Sequence, residues 1–129
     1  MSVPVTSLFA GLLILLYLYL GFGVVGQRRK TQTGLGTGGH DSLEQAVRAH
    51  GNFNEYVPLA LLVLFLLEIN QLPSWALYAY GAALVIGRVL HAMGLKQSGG
   101  RSFGRFYGTL VTWSLLLIGA ITLIIRHFL

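Results

Sequence analysis

The sequence predicts an all-α integral membrane protein, a four-helix bundle, and three observations lead there. The chain is 54% hydrophobic and only 10% charged, far below the ~25% charged residues of ordinary soluble domains. Its mean hydropathy is +0.68. Its apolar residues gather near 3–25, 57–67, 75–87 and 110–125, and a hydrocarbon core about 30 Å thick takes about 20 residues per helix. Four such helices fit within 129 residues with little left over. The expected spans are 3–25, 42–69, 73–95 and 103–127 of one domain, 1–129.

The first span begins near Pro4. Its apolar run exceeds the ~7–15-residue core of a signal peptide and lacks a basic leader and a small-x-small cleavage site, so it is expected to be retained. Gly21, Gly23 and Gly26 toward its end permit close backbone approach or local bending, or belong to a loose helix end. Residues 31–39, rich in Gly and Thr, read as a flexible loop. They lack the G-x-x-x-x-G-K-[ST] pattern of a phosphate-binding loop. Asp41 and Glu44 have capping-box spacing, which predicts Asp41 as the cap and a second helix starting at Ser42. From 42 to 67 that helix is about 39 Å long at about 1.5 Å per residue, so its polar first half protrudes on the cytoplasmic side. Pro58 removes one backbone hydrogen bond and leaves the Asn54 carbonyl without its usual donor, which predicts a kink. Residues 70–74 are too short and proline-marked for anything but a tight turn, with Pro73 in the first turn of helix three. Helix three is expected to end near Leu95, and residues 96–100, with their Gly pair, lead to helix four. No internal repeat supports an inverted-repeat transporter.

The net charge of +5 does not read as a nucleic-acid interface, because spans interrupt the basic residues and no nucleic-acid module is present. Their placement reports topology. Arg28, Arg29 and Lys30 follow the first span, Arg48 opens the second, and Arg88, Lys96, Arg101 and Arg105 surround the third connection, with Arg126 alone at the opposite end. Under the positive-inside rule, both termini and the 70–74 turn lie on the non-cytoplasmic side. The chain has no cysteine, so any thiol chemistry must come from a ligand.

Arg48, Asn52, Glu55 and Tyr56 fall at i, i+4, i+7 and i+8 just before an apolar run, a polar stripe where lipid would otherwise lie. Ionisable groups inside a span cost about 2.5–3.5 kcal/mol each on insertion scales and mark sites. Arg48 offers a planar fork for a carboxylate or phosphate, Glu55 an acceptor for an ammonium or amide, and Asn52 both functions. The stripe therefore suits a small zwitterion with an anionic end, or else a salt-bridge network that orients helices. Arg88 and His91, at i, i+3, and Arg101 and Arg105, at i, i+4, can each share a helix face. Lys96 and Arg101 also suit simple anchoring at the cytoplasmic surface. Arg105, flanked by Phe103, Phe106 and Tyr107, would stabilise a nearby anion more strongly than in water. His50 and His91 lack metal-site spacing, and no metal is assigned. Trp75, Tyr78, Tyr80 and Trp113 read as interface or packing aromatics.

The R-x-x-x-N-x-x-E-x-x-P run over 48–58, with the Gly87-Arg88-x-x-His91 run and the pair Arg101 and Arg105, resembles the MAPEG family, membrane-associated proteins of eicosanoid and glutathione metabolism. The resemblance covers most of the chain. It implies a homotrimer of four-helix protomers holding glutathione, as thiol co-substrate, between neighbouring subunits near the cytoplasmic face. Arg48, Asn52, Glu55 and Tyr56 would bind the tripeptide with help from Arg28 or Arg29. Arg88, His91 and Arg101 would belong to the same site, and Arg105 would stabilise the thiolate. Leu95 stands where several family members place a tyrosine, and Phe106 follows Arg105 where at least one prostaglandin-forming member has serine, which argues against a specific eicosanoid synthase. The compact chain and short loops look like bacterial members, implying an inner-membrane glutathione transferase or peroxidase acting on lipophilic molecules from the bilayer. The competing readings are a non-catalytic lipid-binding or scaffold member of the same fold, and a small four-helix multidrug transporter relying on Glu55.

Overall fold

A computed structural model describes residues 2–97 and 102–129, which form four helices: α1 Pro4–Thr31, α2 Asp41–Ile69, α3 Ser74–Gln97 and α4 Phe103–Phe128. Each is long and apolar enough to cross a membrane, and the chain is an integral membrane protein. The Arg101 assignment and most of the 96–100 connection lie outside the described residues.

Several expected boundaries move, among them the end of α3, which runs to Gln97 and not Leu95. α1 runs on to Thr31 instead of closing at 25, because Arg28, Arg29 and Lys30 sit in its last turn, where cations complement the helix dipole. It stops at Gln32, whose left-handed backbone (φ 56°, ψ 34°) sends its N–H to the Arg28 carbonyl. Gly21, Gly23 and Gly26 thus lie inside a helix and not in a loose end. The capping box on Asp41 does not form: His40 is the N-cap, with no side-chain cap, and Asp41 is already helical. The reason is a preceding turn in which His40 N–H donates to the Thr37 carbonyl (2.9 Å), so that the His40 carbonyl takes the first helical bond, from Glu44 N–H (3.0 Å). Asp41 and Glu44 still favour the first turn through the dipole. α2 continues as helix through Pro58. It closes with Leu72 N–H on the Leu67 carbonyl (3.2 Å), and Pro73 stands immediately before α3 and not within its first turn.

The helices pack where small residues let them approach. A Cβ on Gly104 would collide with the Leu90 carbonyl oxygen, and one on Gly108 would lie 2.5 Å from that of Gly87. The G-x-x-x-G run of α4 therefore lies against the backbone of α3, as small-residue motifs do in membranes. The Phe9 ring of α1 occupies the space above Gly81 of α3, where an added Cβ would run into it. Val63 of α2 fills the corresponding notch at Gly119 of α4. The core itself is a helical stripe of α2, Phe53, Val57, Ala60, Leu64 and Leu67, against Leu13, Leu77 and Leu84. In the most apolar window of each helix, 17% of residues are buried in α1 and α4 against 44% in α3, so α3 is central and the outer pair faces its surroundings.

At the end of the bundle carrying the 70–74 turn, the Glu68 carboxylate accepts from Val5 N–H (2.9 Å) and Thr6 N–H (2.7 Å). These are first-turn donors of α1 that have no partner within the helix. Arg126 donates to the Asn70 carbonyl beside it. Neither contact is foreseeable from spacing along one helix.

Candidate functional site

The polar stripe of α2 lies at the opposite end of the bundle, and its members turn to different neighbours. Arg48 and Glu55 pair with one another at 3.7 Å, with side chains 57% and 51% exposed. Two turns of helix separate them, and the contact is long for an ion pair. Asn52, between them, turns inward, its Oδ1 accepting from Arg88 Nη2 at 2.7 Å. Tyr56 turns toward α4, with its ring 6.3 Å from that of Trp113.

Arg88 is 2% exposed, its guanidinium 5.9 Å above the Phe53 ring. Its Nε and Nη1 have no hydrogen-bond partner among the described residues, and the same holds for His91 Nδ1. Native proteins rarely leave buried donors without acceptors. His91, one turn on, is 4% exposed and packs against Gly108, where an added Cβ would come within 2.7 Å of the histidine Cβ. Arg105 is half-buried in the first turn of α4. Its backbone N–H donates to the Ser102 cap (3.3 Å) and lies 2.6 Å from a Cβ built on Gly94. The glycine contacts thus bring the start of α4 onto the segment of α3 that carries Arg88 and His91.

The remaining predicted cations are spread out. Arg28 is occupied in holding its loop, donating through Nη1 to the carbonyls of Thr33 (3.2 Å) and Gly36 (3.0 Å). Arg29 is exposed in the last turn of α1. His50 stacks on Tyr17, 4.9 Å between centroids. Leu95 is buried in the core, and Phe106 is 63% exposed.

Two features lay beyond the sequence reading. Phe53 supplies the floor under Arg88; it adjoins Asn52 in the chain, but its partner could not be read from α2 alone. Trp113, expected to be an interface or packing aromatic, joins Tyr56, Ser114, Leu116 and Leu117 around an open apolar cleft of about 450 Å³. Tyr56 therefore belongs both to the polar stripe and to the cleft. Chemically, the arrangement offers a surface cation–carboxylate pair, a buried guanidinium short of acceptors, and an adjacent open apolar hollow.

Residues 6–125 match the model of the MAPEG family. The inner membrane protein YecN of Escherichia coli strain K12 is 35% identical over 115 residues, which cover 88% of this chain and 86% of YecN. The protein of the same name from Escherichia coli O6:H1 strain CFT073 matches to the same extent.

Proposed function

The chain belongs to the MAPEG family, and from that premise we propose that it is a membrane-bound glutathione-dependent transferase or peroxidase acting on lipophilic electrophiles or lipid hydroperoxides. The observation that carries this reading is the shortage of acceptors around Arg88: a buried guanidinium bonded to a neutral amide, with two further donor nitrogens unpartnered among the described residues. Such a group favours an anion, and the tripeptide has two carboxylates and an ammonium. The Arg48 fork and the Glu55 carboxylate suit its charged ends, and their 3.7 Å pairing is loose enough to be exchanged for a ligand. Both face outward, which agrees with a site completed by a neighbouring protomer in a homotrimer. In that site Arg28, Arg29 and Arg101 serve as auxiliary cations, and His91 lines the wall. The basic connections face the cytoplasm, and both termini lie on the other side.

Arg105 acts on the sulfur. A free thiol has a pKa near 8.5, and a neighbouring cation raises its thiolate fraction at neutral pH. In transfer, the sulfur bonds to the electrophilic carbon and the leaving group departs with its electron pair. In peroxide reduction, two thiols and one hydroperoxide give a disulfide, an alcohol and water. The second substrate enters from the bilayer along the Tyr56–Trp113 cleft, whose apolar lining suits it.

Conjugation of a generic electrophile by purified protein tests the reading. Wild type is expected to conjugate it with glutathione, and Arg105→Ala to be slower by about a hundred- to a thousandfold, the scale of losing one group that stabilises developing charge. Equal and negligible rates for both would favour a scaffold in which Arg48 and Glu55 only orient helices.

A further inference from the structure

On α3, Ile86, Val89, Met93 and Lys96 fall at i, i+3, i+7 and i+10, on one helix face. The first three are 60%, 38% and 52% exposed, and Lys96 is exposed as well. On α1, Leu8, Leu12, Leu15 and Tyr19 form a second outward stripe at i, i+4, i+7 and i+11. Short antiparallel steps through α2 make α1 and α3 parallel, and they pack through Phe9 on Gly81. The two stripes therefore run side by side and meet at one end, where the Lys96 ammonium donates to the Tyr19 hydroxyl and lies 4.3 Å from the centroid of its ring.

Lys96 is the last residue of the third span. A lysine so placed ordinarily extends its ammonium into water. Here the backward lean of helical side chains and the Tyr19 contact hold the charge over the apolar stripes. Among the described residues no carboxylate pairs with it.

We propose that this seam binds an anionic phospholipid, with the phosphate at the Lys96 ammonium and the Tyr19 hydroxyl and an acyl chain along the two stripes. The ammonium supplies a point charge and up to three donors, while the phenol, accepting from Lys96, keeps its own proton to donate to a second phosphate oxygen. Charge complementarity selects the headgroup: a cation at the interface attracts anionic over zwitterionic lipid. The site is separate from the glutathione site and does not depend on catalysis.

Native mass spectrometry of the full-length protein in neutral detergent, titrated with phosphatidylglycerol or phosphatidylcholine, tests the proposal. Wild type is expected to retain phosphatidylglycerol preferentially. Lys96→Gln should weaken retention about fivefold, the effect of one basic side chain at an anionic headgroup, and Tyr19→Phe should weaken it less. Lys96→Arg should retain binding, which keeps charge distinct from fold. Lys30→Gln, which removes the same charge from an exposed position in the last turn of α1, should leave binding unchanged. Equal retention of the two lipids, an equal loss in Lys30→Gln and Lys96→Gln, or binding by Lys96→Arg as weak as that by Lys96→Gln would each overturn it.

Discussion

Asn52 holds the one acceptor that the buried Arg88 guanidinium is given among the described residues, at 2.7 Å. Removing it strands a charge that the protein cannot re-solvate at that depth. Asn52→Ala is therefore expected to cost about 1–3 kcal/mol and to lower the midpoint of thermal unfolding in detergent. Arg88→Met together with Asn52→Ala should recover part of that loss, since removing both partners of a buried pair is gentler than removing one. A double variant no more stable than Asn52→Ala alone would contradict this. The stripe was legible in the sequence because i, i+4, i+7 spacing places Arg48, Asn52, Glu55 and Tyr56 on neighbouring positions of one helix. What each side chain meets was not, because helical spacing says nothing of the facing helix. Arg48 and Glu55 meet each other, Asn52 meets Arg88, and Tyr56 meets Trp113.

Among the elements, α3 and α4 depend on backbone contact through glycine, and no Cβ fits at Gly104 or Gly108 without displacing a carbonyl. Gly108→Leu should separate the two helices at His91 and abolish glutathione binding while leaving helical circular dichroism intact; unchanged binding would show that the close approach is dispensable. α1 is held at its start by Glu68, and Glu68→Ala should cost about 1 kcal/mol, the usual scale of an N-terminal cap. The loss should appear as faster hydrogen exchange at Val5 and Thr6, and unaltered exchange there would refute the role of the cap. Four apolar periods predicted the helices, since each span carries its own signal. Helix ends were harder. Asp41 has the residue type of a cap, yet the turn closed by Thr37 and His40 starts α2 one residue earlier, and Arg28 to Lys30 extend α1 past the apolar run. Cap identity depends on backbone direction upstream, which residue type alone does not encode.

For the whole molecule, the mostly exposed α1 and α4 and the outward Arg48–Glu55 pair leave the polar end and the flanks of the bundle uncovered by the chain itself. The polar network and the Glu68 clasp occupy opposite ends of one bundle, so the proposed ligand site and helix anchoring are spatially divided. That division predicts that Glu68→Ala leaves the glutathione affinity of the folded protein unchanged. In the proposed function, Arg48, Glu55 and the acceptor-poor Arg88 together hold glutathione. Calorimetric titration of glutathione into the purified protein in detergent tests it most directly. Saturable binding by wild type, weakened about tenfold or more by Arg48→Ala, is the expected result; no saturable heat from folded wild type, or equal affinity in the variant, would contradict it.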